Sequence, residues 1–216
     1  RPEGQVDVVP EAGCLGGTIG SDLTGVQQAD ARASAASKMW HALTHEEMLL
    51  TNRISKQAQG SVCRACVISV LLDSTANWAM RAATYQRLRN FHRKCVRLLN
   101  RATKKNRISA ATLANNLGLP PFTELVNISM LRRVGKVARM PPNRLPRQMM
   151  CAWMDGTRPK GRPNDTFGRR LSKVLRLKLA AFPGRAAFGT PHNEIATWHI
   201  AAQDQSLWNA MIEQPT

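Results

Sequence analysis

Apolar positions recur at three- and four-residue steps from Tyr85 onward: Tyr85, Leu88, Phe91, His92, Cys95, Val96 and Leu99. That spacing draws one stripe and predicts a helix over about residues 77–100, packed on a core along one side. Its other positions are basic: Arg87, Arg89, Arg93, Lys94, Arg97 and, just past the end, Arg101. Upstream, the Ala-rich run from about 26 to 43 predicts one helix. The stretch from about 45 to 72 predicts another, with a break at Gly60. Residues 1–25, with Gly13, Gly16, Gly17, Gly20 and Gly25 close together, predict a strand or loop segment. Downstream, Ser109 is placed as an N-cap, and Gly118 then Pro120 as a helix stop. A second helix is expected from about 121 to 137. Proline and glycine over 140–164 predict an extended loop without helix. A helix capped by Asp165 is expected over about 165–180. A last one starts near Asp204 and docks through Leu207, Trp208 and Met211. The expected fold is mainly α: an irregular helical array with a short N-terminal strand or loop segment and Pro/Gly-rich basic loops. Four parts follow: 1–25, a helical domain over 26–140, a basic loop over 141–164 and a helical segment over 165–216.

Charge changes the picture. The chain carries a formal +17, and the surplus is concentrated. Arg81 to Lys178 holds twenty-four basic residues and three acidic ones, Glu124, Asp155 and Asp165. The rest of the chain is slightly acidic. Such a surplus repels itself in a compact domain unless a polyanion neutralises it, and nucleic acid gains from the exchange by releasing counterions. No acidic residue lies between Asp73 and Glu124, so neighbours one turn away cannot neutralise the basic side of the long helix. A phosphate backbone is the preferred partner over a merely solvated basic face. Hydrophobic residues make up 43%, enough for a core and unlike a disordered basic tail.

Other chemistry is thinner. The longest apolar candidate, Val62 to Leu72, contains Arg64 and falls short of the roughly 18 residues of a membrane span, so no membrane partner is expected. The chain opens Arg-Pro-Glu-Gly without a Met or an apolar run. That predicts a fragment, a processed product or an incomplete reading frame, and no secretory signal. Five scattered cysteines argue for a reducing, intracellular compartment, nucleus or cytoplasm. Cys63 and Cys66 have the spacing of a redox or zinc pair, and His41 and His45 lie one helical turn apart. Neither pair has further ligands near it, so buried thiols and surface histidines are the preferred reading, with no metal and no cofactor. The Gly16–Gly20 run lacks the Lys-Ser/Thr ending of a phosphate-binding loop. Residues 107–137 resemble a helix-turn-helix, but the would-be recognition face, Glu124 to Met130, carries no Arg, Lys or Gln. An ordinary helical hairpin is preferred.

The order of several segments resembles one family. Cys14 to Asp22 is similar to a "YLGs.is.Dg" motif, and Leu71 to Trp78 to "LLYGsEtW". Arg87 to Leu99 fits "rLe.FhrrcLRriL", Arg107 to Ser109 fits "dRis", and Leu131 to Met140 fits "LRW.GHvaRM". Asn143 to Pro146 and Gly156 to Pro163 fit "dRlPkq" and "GkRprGRP", and Trp198, Ala202, Asp204 and Trp208 fit "W..lA.DR..W". Together these resemble the region downstream of the polymerase core in non-LTR (LINE-type) retrotransposon reverse transcriptases, over about residues 13–211. The chain departs from the pattern at Asp73, Ser74, Ala76, Lys104, Arg133, Lys136 and Gln205, as a divergent copy would. Lys104 and Arg133 stand where the family has Trp; lost apolar burial there predicts a marginal fold if the sites are internal.

The resemblance implies a parent RNA-directed DNA polymerase. The aromatic-x-Asp-Asp hallmark that holds its metal ions is missing here, so this chain is expected neither to polymerise nor to cleave. What it implies is a non-catalytic part that positions template RNA or target DNA, alone or with ribonucleoprotein partners. A structural RNA-binding protein of a ribonucleoprotein, such as an organellar ribosome, would explain the charge equally, with an organelle as its location. The candidate contacts are Arg87, Arg89, Arg93, Lys94, Arg97 and Arg101 on or beside the long helix, and Lys104 and Lys105 after it. Arg132, Arg133, Lys136 and Arg139 follow on the next helices. Arg158, Lys160 and Arg162 form a basic hook for a narrow groove or RNA backbone. Arg169 and Arg170 come last. Trp78, Trp198 and Trp208 are expected as core anchors rather than stacking platforms.

Overall fold

The stripe of apolar residues becomes a helix over Ala82–Leu99 in a computed structural model, which describes residues 11–14, 17–20, 25–73, 75, 82–103, 107–151, 167–178 and 197–213. The protein is mainly helical. The first strands, β1 (Glu11–Cys14) and β2 (Gly17–Gly20), form an antiparallel hairpin that pairs Glu11 with Gly20. Helices α1 (Val26–His45), α2 (Lys56–Val62), α3 (Ser69–Leu72), α4 (Ala82–Leu99) and α5 (Ala110–Asn116) follow. Then come α6 (Phe122–Ala138), α7 (Leu145–Cys151), α8 (Phe167–Lys178), α9 (Thr197–Ala201) and α10 (Gln205–Glu213). The chain divides into two compact units, Arg1–Leu125 and Val126–Thr216.

In the first unit α1 lies against α3 and α4. It presents Ala29 and Ala36, whose small side chains allow a close approach, and Trp40, which fills the space beyond. Leu88, Cys95, Val96 and Leu99 are buried from α4, and Tyr85 and Phe91 half-buried, so the periodic reading holds along the whole helix. The expected break at Gly60 is corrected. The chain leaves the helix over 46–55 instead, where Glu47 and Leu50 have φ of 53° and 59° and Leu49 turns into the core. Ser55 then starts α2, its Oγ accepting from the Ala58 N–H at 3.1 Å. Helix continues through a wide π-helical stretch, Cys63–Ile68, into α3. Gly60 serves a different purpose: a Cβ there would sit 1.9 Å from the Leu117 carbonyl oxygen, so only glycine lets α2 pass the end of α5. Ser109 caps α5, accepting from the Thr112 N–H at 3.1 Å, and Gly118 ends the turn with φ of 63°.

Three thiols of this unit, Cys63, Cys66 and Cys95, are free. Burial, then the neighbouring Cys66, pushes Cys63 up to about 12, and burial raises Cys95 as well, so neither supplies a thiolate. His92 is buried against Phe122, ring centroids 5.3 Å apart, and its Nε2 has no partner among the described residues. Burial lowers its imidazole to about 4. The folded protein therefore keeps His92 neutral, while the unfolded chain protonates near 6.5. Stability is unaffected above that pH and is lost as pH falls from 6.5 towards 4. Wild type should lose about 2 kcal/mol more than His92→Leu between pH 7 and pH 5. Urea denaturation at both pH values measures the difference; parallel curves for the two proteins would overturn the assignment.

The core of the second unit joins Met130, Leu131, Val134 and Ala138 of α6 to Leu171, Val174 and Leu175 of α8. Trp198 and Ala202, and Trp208 and Ile212 of α10, complete it. Trp208 is fully buried, and its Nε1–H donates to the Leu131 carbonyl at 3.0 Å. Its ring lies across Gly135, where a Cβ would meet Nε1 at 2.3 Å. Asp204 caps α10, its Oδ1 accepting from the Ser206 and Leu207 N–H groups at 2.8 and 3.0 Å. Two expectations are corrected here. Leu207 is 51% exposed; Ile212, four residues after Trp208, takes its place in the stripe. The expected loop over 140–164 contains α7, because Pro146 falls in the first turn, where its missing N–H costs no hydrogen bond. Residues 152–164, Trp78 and the Asp165 cap lie outside the described residues.

Candidate nucleic-acid interface

The side of α4 opposite its buried stripe is formed by Gln86, Arg89, Asn90, Arg93 and Lys94, all exposed. Arg89, Arg93 and Lys94 make no ion pair among the described residues. A helix advances about 1.5 Å per residue, so Arg89 and Arg93 lie about 6 Å apart along the axis, within reach of successive phosphates. Two hydrogen bonds hold the C-terminal end of this surface to neighbouring helices. Lys56 donates through Nζ to the Leu99 carbonyl at 2.5 Å, placing a cation on the C-terminal end of α4. Asn100 Nδ2 donates to the Leu113 carbonyl at 2.9 Å and ties that end to α5.

Other basic residues of α4 are already engaged. Arg87 pairs with Asp30 of α1, a partner far away in sequence that a search of neighbouring turns misses. Arg97 is half-buried and donates to the Thr103 and Ile108 carbonyls at 3.4 and 3.3 Å, closing the connection after α4. Arg101, with φ of 53°, donates to the Leu50 carbonyl at 3.2 Å and steadies the 46–55 turn. Lys104 and Lys105 lie outside the described residues.

In the second unit Arg132 pairs with Glu213, and Lys136 is exposed. Arg133 is half-buried, a cation that still reaches water. Arg139 donates to the Ala202 carbonyl at 2.8 Å, and Gln203 Nε2 to the Ala138 carbonyl at 3.1 Å, a reciprocal clasp between the end of α6 and the turn after α9. Arg170 is half-buried on α8, and Arg169 lies on the same helix with its side chain outside the described set. Lys173 and Arg176 are exposed on α8 beside Ser172 and Leu177, which line an open depression with them. Arg158, Lys160 and Arg162 lie outside the described residues.

The structure thus separates cations that hold the fold from cations that face water, a division invisible in the charge count. Asn90 and Gln86, absent from the charge-based candidates, share the open face. Among the described residues, no group of three His, Cys, Asp or Glu side chains could hold a metal ion, and no helix is long and apolar enough to cross a membrane. The chain matches no protein family, no curated protein and no solved structure.

Proposed function

We propose that this chain is a non-catalytic nucleic-acid-binding segment, of the kind that follows the polymerase core in non-LTR reverse transcriptases, and that it positions template RNA or target DNA. The observation that carries this reading is the open cationic face of α4. Arg89, Arg93 and Lys94 project from a helix whose opposite side is core, with no carboxylate among the described residues paired to them. Holding these charges close together costs free energy that a phosphate strand offsets by releasing counterions. The resemblance gains support from how its motif residues are used. Gly135 and Arg139 of one motif pack or hydrogen-bond onto Trp208 and Ala202 of another.

The test is binding to RNA and to DNA across a salt series. Replacing Arg89, Arg93 and Lys94 together by Ala should lower the slope of log affinity against log salt by about 1.5 to 2.5, at 0.7–0.9 for each of two to three phosphate contacts. The three residues are exposed, so the fold should survive, as circular dichroism will show. An unchanged slope in the folded variant would remove α4 from the interface.

A further inference from the structure

We infer that α4 is a DNA-reading helix: it seats in the major groove of duplex DNA, with Gln86, Asn90 and Arg93 against base edges and Arg89 and Lys94 on the two flanking phosphate strands. This rests on the nucleic-acid-binding reading above and names the partner of the same surface.

The argument begins with which residue types stand where. Successive residues of a helix turn by about 100°, so Gln86, Asn90 and Arg93 fall within about 60° of one another, in the middle of the exposed face. Arg89 and Lys94 lie about 140° apart, one on each side of that line. Ala82 and Ala83, both exposed, leave the first turn of the same face without bulk. A surface that served only to attract a polyanion would carry cations at its centre. Here the open centre holds two carboxamides and one guanidinium, the groups that pair bidentately with adenine and guanine edges, while Arg89 and Lys94 stand to either side and Arg97, one turn further along the same line, is half-buried and held by loop carbonyls. Alanine at the first turn suits close approach, including contact with a thymine methyl.

Dimensions select the duplex. A helix with its side chains is about 10–12 Å across, and the B-form major groove is about 12 Å wide. The A-form major groove of RNA is too narrow and deep for side chains to read. Single-strand recognition relies on exposed aromatic platforms, and this face has none. Tyr85 packs on Phe122 with ring centroids 5.3 Å apart, its hydroxyl bonded to Thr123 Oγ1 at 2.7 Å, and Phe91 is half-buried. The Arg87–Asp30 pair, its charges mutually neutralised, bounds the strip on the Lys94 side. Arg97, tied to its two loop carbonyls, bounds it towards the C-terminal end.

The full chain is tested by selection from a duplex DNA library with a randomised central stretch. Affinity is then measured for the enriched duplex, a scrambled duplex, an RNA duplex of the same sequence and the corresponding single strands. The enriched duplex should bind about tenfold or more tighter than every other probe. Asn90→Ala should abolish preference at one base pair and leave the salt slope unchanged. Lys94→Ala should weaken all duplexes alike and reduce the slope by about one. The inference is overturned if scrambled and enriched duplexes bind equally, or if RNA or single strands bind tighter. It is equally overturned if Asn90→Ala and Gln86→Ala each enrich the wild-type sequence. Binding without discrimination would remove this inference and leave the general reading standing, whereas no binding to any probe would remove both.

Discussion

Replacing Trp208 by Ala is expected to cost about 4 kcal/mol, because a fully buried indole is removed from the middle of a small core. The surroundings offer little to refill the space. Gly135 lies directly against the ring and has no side chain to extend, and Leu131, Val134 and Ile212 are already packed. The indole N–H also leaves the Leu131 carbonyl, to which it donates at 3.0 Å. Trp208→Phe separates the two terms. It keeps most of the ring and gives up the hydrogen bond, at an expected cost of about 1 kcal/mol plus the lost volume. Urea denaturation followed by circular dichroism measures both variants. A Trp208→Ala midpoint equal to wild type would show that α10 does not anchor the second unit.

Gly60→Ala is expected to destabilise by about 3 kcal/mol, the reverse of what helix propensity predicts. In an open helix the change gains up to about 1 kcal/mol. At Gly60 the new methyl would stand 1.9 Å from the Leu117 oxygen and 2.9 Å from its carbonyl carbon. That carbonyl cannot swing aside cheaply. Leu117 is the C-cap of α5, its N–H donates to the Ala114 carbonyl at 2.9 Å, and Gly118 follows at φ of 63°. Ser61→Ala, at the next and exposed position of the same helix, is the control and should change stability by no more than about 0.5 kcal/mol. A stabilised Gly60→Ala variant would mean that α2 and α5 do not approach as described.

Those two sites also mark what sequence alone conveys. The α4 stripe was legible because burial at 3.6-residue periodicity repeats over five turns, and the Ser109 cap and the helix start near Asp204 were legible because such signals need only their own few residues. Gly60 was not, since a glycine that breaks a helix and one that admits a neighbouring carbonyl read alike. Helix α7 was hidden by Pro146, whose effect depends on its falling in the first turn. Charge density marked α4 as basic but did not separate its free cations from its engaged ones. Arg97, Arg101 and Arg139 spend their donors on backbone carbonyls, which every residue carries and which leave no trace in sequence. Arg87 meets Asp30 through a contact that only folding creates.

The central claim is that the folded protein's surplus positive charge is met by nucleic acid at the open face of α4. The direct measurement is the affinity of the folded full chain for duplex DNA and for RNA between low and physiological salt. The account predicts binding that weakens steeply as salt rises, with a log–log slope of about three or more, from Arg89, Arg93, Lys94 and neighbouring cations together. A protein that stays folded and binds neither polymer at low salt would contradict it.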